Sequence, residues 1–166
     1  MLAREELFKI VGSRNVADKA EVLDDYSKDL SFAQRVRPGA VVRANSSGEV
    51  GAIVKWANET RTPIVPVSSG PPHFHGDTVP GVGGAVVVDL SGMKRIMRVD
   101  RRNRVAMVEP GVTFGELIPA LEKEGLATLM PLVPRRGKSV VTSFLERTPI
   151  TMPRFHWEPQ DPMQCV

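Results

Sequence analysis

Apolar positions near the start of the chain recur at helical spacing. Residues 2–11 place apolar side chains on one helical face, and Gly12 is a typical C-terminal stop for such a helix. Residues 16–29 follow with a mixed helical and turn pattern, and residues 35–39 have the composition of a connector. The pattern therefore predicts an N-terminal helical segment over residues 1–36.

A strand, a helix and a second strand are predicted next. Residues 40–43 form a short apolar run, and Ser46 and Glu49 have the spacing of a capping box at the start of a helix that ends near Thr60. Residues 63–66 begin another apolar run. Because so few residues connect the two strands through one helix, the pattern indicates a crossover unit with parallel strands.

The second half of the chain has a different pattern. Residues 85–90, 96–100 and 105–109 are three strand candidates joined by short polar turns, which favours antiparallel neighbours. Thr113 and Glu116 repeat the capping-box spacing before another helix with one apolar face. The fold class predicted is therefore α+β, with a small β-α-β lobe followed by antiparallel strands packed with helices.

Residues 139–166 are weakly periodic and contain four prolines, which argues against long regular elements. An apolar run begins within the last six residues, so we expect the element there to continue in a partner chain or in a longer parent sequence. The predicted organisation is thus a helical segment over 1–36, a central part over 37–138 and an irregular C-terminal segment over 139–166.

The stretch between the second and third predicted strands is a long loop of small residues, prolines and two histidines. It covers residues 68–77, and three of residues 81–84 are glycine. Loops of this kind present backbone N–H groups in a concave arrangement that binds phosphate without side-chain charge. A long loop without aliphatic side chains is either functional or disordered. A Gly/Pro-rich surface turn is the alternative that composition alone leaves open.

Composition excludes several classes of protein. At 42% hydrophobic and 25% charged residues, the chain has the material for a core and the surface of an ordinary soluble domain. A net charge of +3 with few aromatic residues argues against nucleic acid as a partner. The single cysteine, Cys165, excludes a disulfide framework. Residues 1–6 are charged and lack the apolar run of a signal peptide, and no stretch approaches the length of a membrane span. We therefore expect a cytoplasmic location.

Five stretches, in order, resemble the first half of the flavin-binding domain of FAD-linked oxidases of the glycolate oxidase, D-lactate dehydrogenase and vanillyl-alcohol oxidase type. They are residues 26–29, 40–42 together with 49–57, 62–67, 84–96 and 108–117. The resemblance covers a little over half of the chain. It implies the p-cresol methylhydroxylase type of FAD-binding fold, incomplete at its C-terminus, with FAD as the cofactor.

The resemblance also implies which residues bind the cofactor. The loop would hold the FAD pyrophosphate, and the residues that fall on it are Pro66, Val67, Ser68, Ser69, Gly70, Pro71, Pro72, His73, Phe74, His75 and Gly76, with Pro131 as a further contact. The chain departs from the family pattern where Ser68 and Ser69 replace an Arg-Gly pair. Two prolines in the same loop also lack the N–H donors that the family loop offers.

The two loop histidines have three interpretations. His73 and His75 could make polar contacts with the cofactor, could be structural, or could take part in covalent or metal chemistry. As metal ligands they lack a constellation of carboxylates or cysteines beyond Asp77. No metal site is therefore predicted.

The function implied by the resemblance is that of an FAD-binding part of a flavin-dependent oxidoreductase that oxidises a 2-hydroxy acid or an alcohol. A partner chain or a further domain would complete the flavin site and supply the catalytic residues, and a homodimer is possible. The alternative is a non-catalytic scaffold subunit that keeps the fold without flavin. The sequence assigns no catalytic residue.

Overall fold

A four-stranded sheet lies at the centre of the first half of the chain. Its strands are β1 (Val16–Ala17), β2 (Ala40–Arg43), β3 (Ile64–Val67) and β4 (Val86–Asp89), in the order β1-β2-β4-β3. β4 pairs in parallel with β2 and with β3, and β1 pairs antiparallel with β2. The predicted parallel orientation of β2 and β3 is confirmed, although β4 lies between them.

The position of β4 corrects one expectation. The short turn after β4 predicted an antiparallel pairing with the next strand, but β4 is the inner strand of the parallel sheet. All four of its residues are buried. A strand that is covered on both faces exposes neither face to water. Such burial is typical of a central strand in a parallel sheet.

Helices cover both faces of this sheet. They are α1 (Leu2–Val11), α2 (Ala20–Asp25) and α3 (Ser47–Thr60), and a short 3-10 turn follows α1 at Ser13–Asn15. Alternate strand residues point to opposite faces. One core contains α1, α3 and the side chains of Val42, Val86 and Val88; the other contains Leu23 of α2 with Val41, Val67 and Val87.

The predicted N-cap of α3 at Ser46 is confirmed, whereas the Glu49 side chain binds the residue before the N-cap instead of the N-cap itself. The Ser46 hydroxyl accepts a hydrogen bond from the backbone N–H of Glu49 at 3.2 Å, and the Glu49 carboxylate accepts one from the backbone N–H of Asn45 at 2.7 Å. The first bond satisfies a donor that a helix start leaves without a partner, and the second fixes the residue before the N-cap. At the other end Arg61 adopts a left-handed conformation, with φ of 52°, and closes the helix.

The second half of the chain forms a hairpin packed on helices. β5 (Ile96–Asp100) and β6 (Val105–Val108) pair antiparallel, and α4 (Phe114–Lys123) and α5 (Val140–Leu145) follow. Their buried side chains form one core, which is made of Val112, Phe114, Leu117, Leu121 and Val140 with partly buried residues of the hairpin. The predicted α+β class is confirmed.

The Arg95–Glu109 pair closes the open end of the hairpin. The Glu109 carboxylate accepts from the Arg95 side chain at 2.7 Å and from the Arg95 backbone N–H at 2.8 Å. The side-chain hydrogen bond is the main reason that the pKa of Glu109 lies below its ordinary value, and the backbone bond adds to it. These contacts give Glu109 a structural role at the end of the hairpin.

The computed structural model describes residues 2–70, 73, 76, 78–128 and 136–145. The chain divides into one unit that ends at Met93 and another that begins at Lys94. The boundaries predicted at 36/37 and 138/139 stay predictions. Within the described ranges, no helix combines the length and apolar character that crossing a membrane requires.

A close backbone contact in the first unit makes Gly39 a test of the fold. A Cβ atom at Gly39 would lie 2.9 Å from the carbonyl oxygen of Gly84, so Gly39→Ala forces two backbone segments apart. We expect a loss of about 1–3 kcal/mol in the free energy of unfolding, measured by urea denaturation. In contrast, Gly51 of α3 has no atom within 4 Å of its Cβ position. Gly51→Ala should stabilise the chain by about 0.5–1 kcal/mol, and equal effects would contradict this account.

Candidate functional site

The carboxyl ends of three parallel strands meet at one edge of the first sheet. The register aligns Arg43 of β2 and Val67 of β3 with Asp89 of β4, so all three strands end together. In open α/β sheets, ligands bind beyond the carboxyl ends of the strands. The predicted loop begins at this edge, directly after Val67.

The structure places the first predicted site residues at the end of β3 and just beyond it. Pro66 is exposed on β3. Because β3 is an edge strand with a strand on one side only, the missing N–H of this proline removes no hydrogen bond to a strand on the other side. Val67 and Ser69 are buried, Ser68 is half-buried and Gly70 is exposed. His73 and Gly76 are half-buried. The other predicted contacts lie outside the described residues: Pro71, Pro72, Phe74, His75 and Pro131.

Ser69 and Gly70 have the properties of a ligand cradle. Ser69 is only 4% exposed, yet its hydroxyl has no hydrogen-bond partner among the described residues. Buried hydroxyls are normally paired, and an unpaired one needs an explanation. No atom lies within 4 Å of the position that a Cβ on Gly70 would occupy. A buried hydroxyl therefore adjoins a stretch of backbone that another molecule can approach closely.

The far part of the loop is attached to the N-terminal segment. The Asp29 carboxylate accepts a hydrogen bond from the backbone N–H of Gly76 at 2.6 Å. The backbone N–H of Leu30 donates to the carbonyl oxygen of His73 at 2.9 Å. In the sequence, Asp29 falls within the stretch 26–29 that resembles the family, and no role was predicted for it. No local sequence pattern indicated a role for Asp29, because its contact with Gly76 joins residues 47 positions apart.

Ser31 completes the surroundings of the Asp29 carboxylate. Its backbone N–H and its hydroxyl both donate to Asp29, at 2.9 Å and 2.5 Å. Burial by itself raises the pKa of Asp29, but the hydrogen bonds from Ser31 and Gly76 outweigh it, and the pKa lies below its ordinary value. Asp29 is therefore a carboxylate at neutral pH, and the loop is held by an ionised group.

A second polar cluster lies at the same edge of the sheet. Asp89 is 4% exposed, and its carboxylate contacts the Arg43 guanidinium at 3.3 Å and the Tyr26 hydroxyl at 3.5 Å. It also accepts from the backbone N–H of Ser91 at 2.9 Å. Burial, followed by the charge of Asp89, raises the pKa of Tyr26 to about 12. The phenol is neutral at physiological pH, so this cluster is a hydrogen-bonded support rather than an acid–base pair.

Comparison with known proteins decides the family. Residues 38–141 match the FAD binding domain family. The chain belongs to this family. The match includes β2 to β6, the loop and most of the core in the second half of the chain. The resemblance found in the sequence is thereby confirmed, and FAD is the cofactor of the family.

Relatives of this FAD-binding domain are flavin oxidoreductases. The 4-cresol dehydrogenase [hydroxylating] flavoprotein subunit of Pseudomonas putida is 31% identical over 123 residues, which are 73% of this chain and 24% of the relative. The D-lactate dehydrogenase of Anaerostipes hadrus is 33% identical over 73% of this chain and 25% of its own length. The chain therefore spans about a quarter of the length of these relatives.

A solved structure gives the same result for the FAD-binding domain. The chain is similar to p-cresol methylhydroxylase with substrate bound, with a TM-score of 0.69 and 29% identity over 80% of this chain and 26% of the other. The 4-ethylphenol oxidase from Gulosibacter chungangensis has a TM-score of 0.73 at 24% identity, and it supports the fold alone. The predicted p-cresol methylhydroxylase type of fold is confirmed.

The described residues of the FAD-binding domain fit a pyrophosphate. Phosphate oxygens are acceptors, and the free donor here is the Ser69 hydroxyl beside the open backbone of Gly70. The Gly76 N–H is not free, because Asp29 accepts its hydrogen bond. The near part of the loop therefore offers one unpaired donor beside open backbone, and the far part is held by the protein itself. Among the described residues, no group of three or more side chains is arranged to hold a metal ion.

Proposed function

We propose that the near part of the loop, residues 68–70, holds the pyrophosphate of FAD within a flavin-dependent oxidoreductase. The observation that carries this proposal is the buried Ser69 hydroxyl without a partner, next to open backbone, at the carboxyl edge of a parallel sheet. A pyrophosphate carries negative charge and many acceptor oxygens. One of these oxygens would accept a hydrogen bond from the Ser69 hydroxyl, which has no partner among the described residues.

Binding here relies on neutral donors. Ser69 would donate its O–H to a phosphate oxygen, and the exposed backbone at Gly70 would allow the phosphate to approach closely. Arg43 faces Asp89, and Arg35 and Arg37 both face Asp24. These three arginines of the first unit are therefore engaged in ion pairs rather than reserved for the phosphate.

The reaction class follows from the relatives. When bound, FAD supplies a ring that accepts a hydride, and the protein's part is to orient it and exclude water. D-lactate dehydrogenase and glycolate oxidase subunit GlcD are among the relatives, which supports a 2-hydroxy acid or an alcohol as substrate. Because the chain covers about a quarter of these relatives, we propose that a further domain or a partner chain completes the flavin site and binds the substrate.

The test is the flavin content of the full-length protein and of a Ser69→Ala variant. The wild-type protein should be yellow and release FAD on denaturation. Ser69→Ala should bind FAD about tenfold more weakly, because one hydrogen bond to a charged group is lost. Its thermal unfolding should match that of the wild type, since the hydroxyl has no partner among the described residues.

Thr62→Ala is the matched control. It also removes one hydroxyl, but Thr62 precedes β3 at the opposite end from the loop, and its hydroxyl contacts that of Thr60 at 2.8 Å. FAD affinity should not change in this variant. A full-length protein that takes up no FAD would refute the proposal. That result would favour the alternative of a non-catalytic scaffold subunit that keeps the fold without flavin. Equal losses in the two variants would refute the assignment to Ser69.

A further inference from the structure

We propose that Asp29 is a positioning residue that holds the far part of the loop at Gly76, with Leu30 holding His73 beside it, so that the near part is shaped for its ligand. The proposal rests on the function proposed for the loop and adds how the loop is held. Asp29 lies outside the loop, in the segment between α2 and β2. Its carboxylate is the group that joins this segment to Gly76.

Three donors surround the Asp29 carboxylate. One oxygen accepts from the Gly76 N–H at 2.6 Å, and the other accepts from the N–H and the hydroxyl of Ser31 at 2.9 Å and 2.5 Å. Hydrogen bonds to an ionised acceptor are stronger than those between neutral groups. The neighbouring Leu30 N–H adds a bond to the His73 carbonyl at 2.9 Å. Both described residues in the far part of the loop are thus bound to adjacent residues of one segment.

Packing agrees with the hydrogen bonds. Gly76 has a φ of 74°, a conformation that side chains rarely adopt. A Cβ at this position would lie 3.0 Å from the Ala33 Cβ and 3.1 Å from the Ser31 hydroxyl. The N-terminal segment therefore lies directly against the glycine. Ser31 has two roles, since it donates to Asp29 and also accepts from the Ala33 N–H at 3.0 Å.

The charge of Asp29 argues against a direct contact with phosphate. A carboxylate repels an anionic ligand, and the Gly76 N–H that it binds is withdrawn from the set of possible phosphate donors. The open backbone and the unpaired hydroxyl lie instead at Gly70 and Ser69. The division of the loop into a held part and an open part favours a positioning role. A loop that is already ordered loses less entropy when a ligand binds.

The test compares Asp29→Ala and Asp29→Asn in the full-length protein. Two quantities are measured: the dissociation constant for FAD, and amide hydrogen exchange of peptides covering residues 68–84 in the flavin-free protein. Asp29→Ala should weaken FAD binding about tenfold or more and speed exchange at Gly76 by a similar factor, since it removes a charged acceptor. Asp29→Asn keeps one acceptor oxygen and should lie between this variant and the wild type.

Asp24→Asn is the matched control. It makes the same chemical change as Asp29→Asn on the preceding helix α2, but the Asp24 carboxylate pairs with Arg35 at 3.1 Å and Arg37 at 3.2 Å instead of with the loop. Loop exchange and FAD affinity should stay within about twofold of the wild type. Thermal unfolding of all three variants shows whether any effect is global. If Asp24→Asn matches Asp29→Ala in both readouts, the positioning role is refuted.

The two proposals fail separately. If the wild type takes up no FAD, the function proposed for the loop fails, while hydrogen exchange still decides whether Asp29 holds it. If Asp29→Ala leaves exchange at residues 68–84 unchanged, the positioning role is refuted even where FAD binds. If Asp29→Ala binds FAD more tightly than the wild type, the carboxylate competes with the ligand, and that result also overturns the positioning role.

Discussion

Replacing Gly70 with valine is expected to lower the affinity for FAD about a hundredfold, because the valine side chain fills the space through which the phosphate approaches the backbone. The chain itself should tolerate the change, since no atom lies within 4 Å of the Cβ position. Each hydrogen bond to a charged group contributes about 1.5–3 kcal/mol, so the loss of one or two accounts for this factor. Titration of the flavin-free, full-length protein with FAD measures it.

The control for this prediction is Gly51→Val on α3. Gly51 is also exposed and also has open space at its Cβ position, so the two variants make the same change in similar surroundings. Gly51→Val should bind FAD as the wild type does. Gly76 is a poorer choice for the experiment, because a side chain there strains the loop itself. Unchanged affinity in Gly70→Val would show that the phosphate is held elsewhere.

Replacing Phe114 with alanine should cost about 3–5 kcal/mol in the free energy of unfolding of the second unit. Phe114 is 2% exposed and belongs to the core that joins α4 to the hairpin and α5. It is also the first residue of α4, and its backbone N–H donates to the Lys138 carbonyl at 3.1 Å. The substitution leaves that backbone bond in place, so the loss reports on the side chain. Urea denaturation followed by circular dichroism measures it.

Met107→Ala serves as the comparison for Phe114→Ala. Met107 lies on β6 with 55% of its surface exposed, so its truncation removes little buried area. We expect a change within about 0.5 kcal/mol. A loss below about 1 kcal/mol for Phe114→Ala would mean that the core around it is not packed as described.

Local signals in the sequence predicted the elements well. The helix after Ser46 was predicted because the serine and Glu49 interact across three positions, and the bounds of α1, β2 and α3 follow from such short-range patterns. The pairing of β4 was not predicted, because register depends on partners far away in the chain. The continuous apolar run of residues 85–88 was the available signal in the sequence for a central strand.

The candidate site was predicted in part for the same reason. Ser69 and Gly70 fall on a loop whose composition and family resemblance marked it for phosphate. Asp29 was missed, because its contact with Gly76 forms only when the chain folds and no spacing rule connects the two. Hydrogen bonds that a backbone N–H donates to a carboxylate far away in the sequence have no sequence pattern of their own. The structure was needed to separate the held part of the loop from the open part.

The loop also has a structural role, which limits how its sequence can change in evolution. Residues 68–85 are also the connection that carries the chain from the end of β3 back to the start of its parallel neighbour β4. Parallel strands need a long connection of about a dozen residues or more. Deletions that leave fewer than about a dozen residues in this stretch would therefore break the sheet, even in a descendant that had no use for a cofactor. Such a descendant would keep a long loop, but Ser69 and Gly70 would be free to change. The residues at these two positions, rather than the length of the loop, therefore distinguish a member that binds FAD from one that does not.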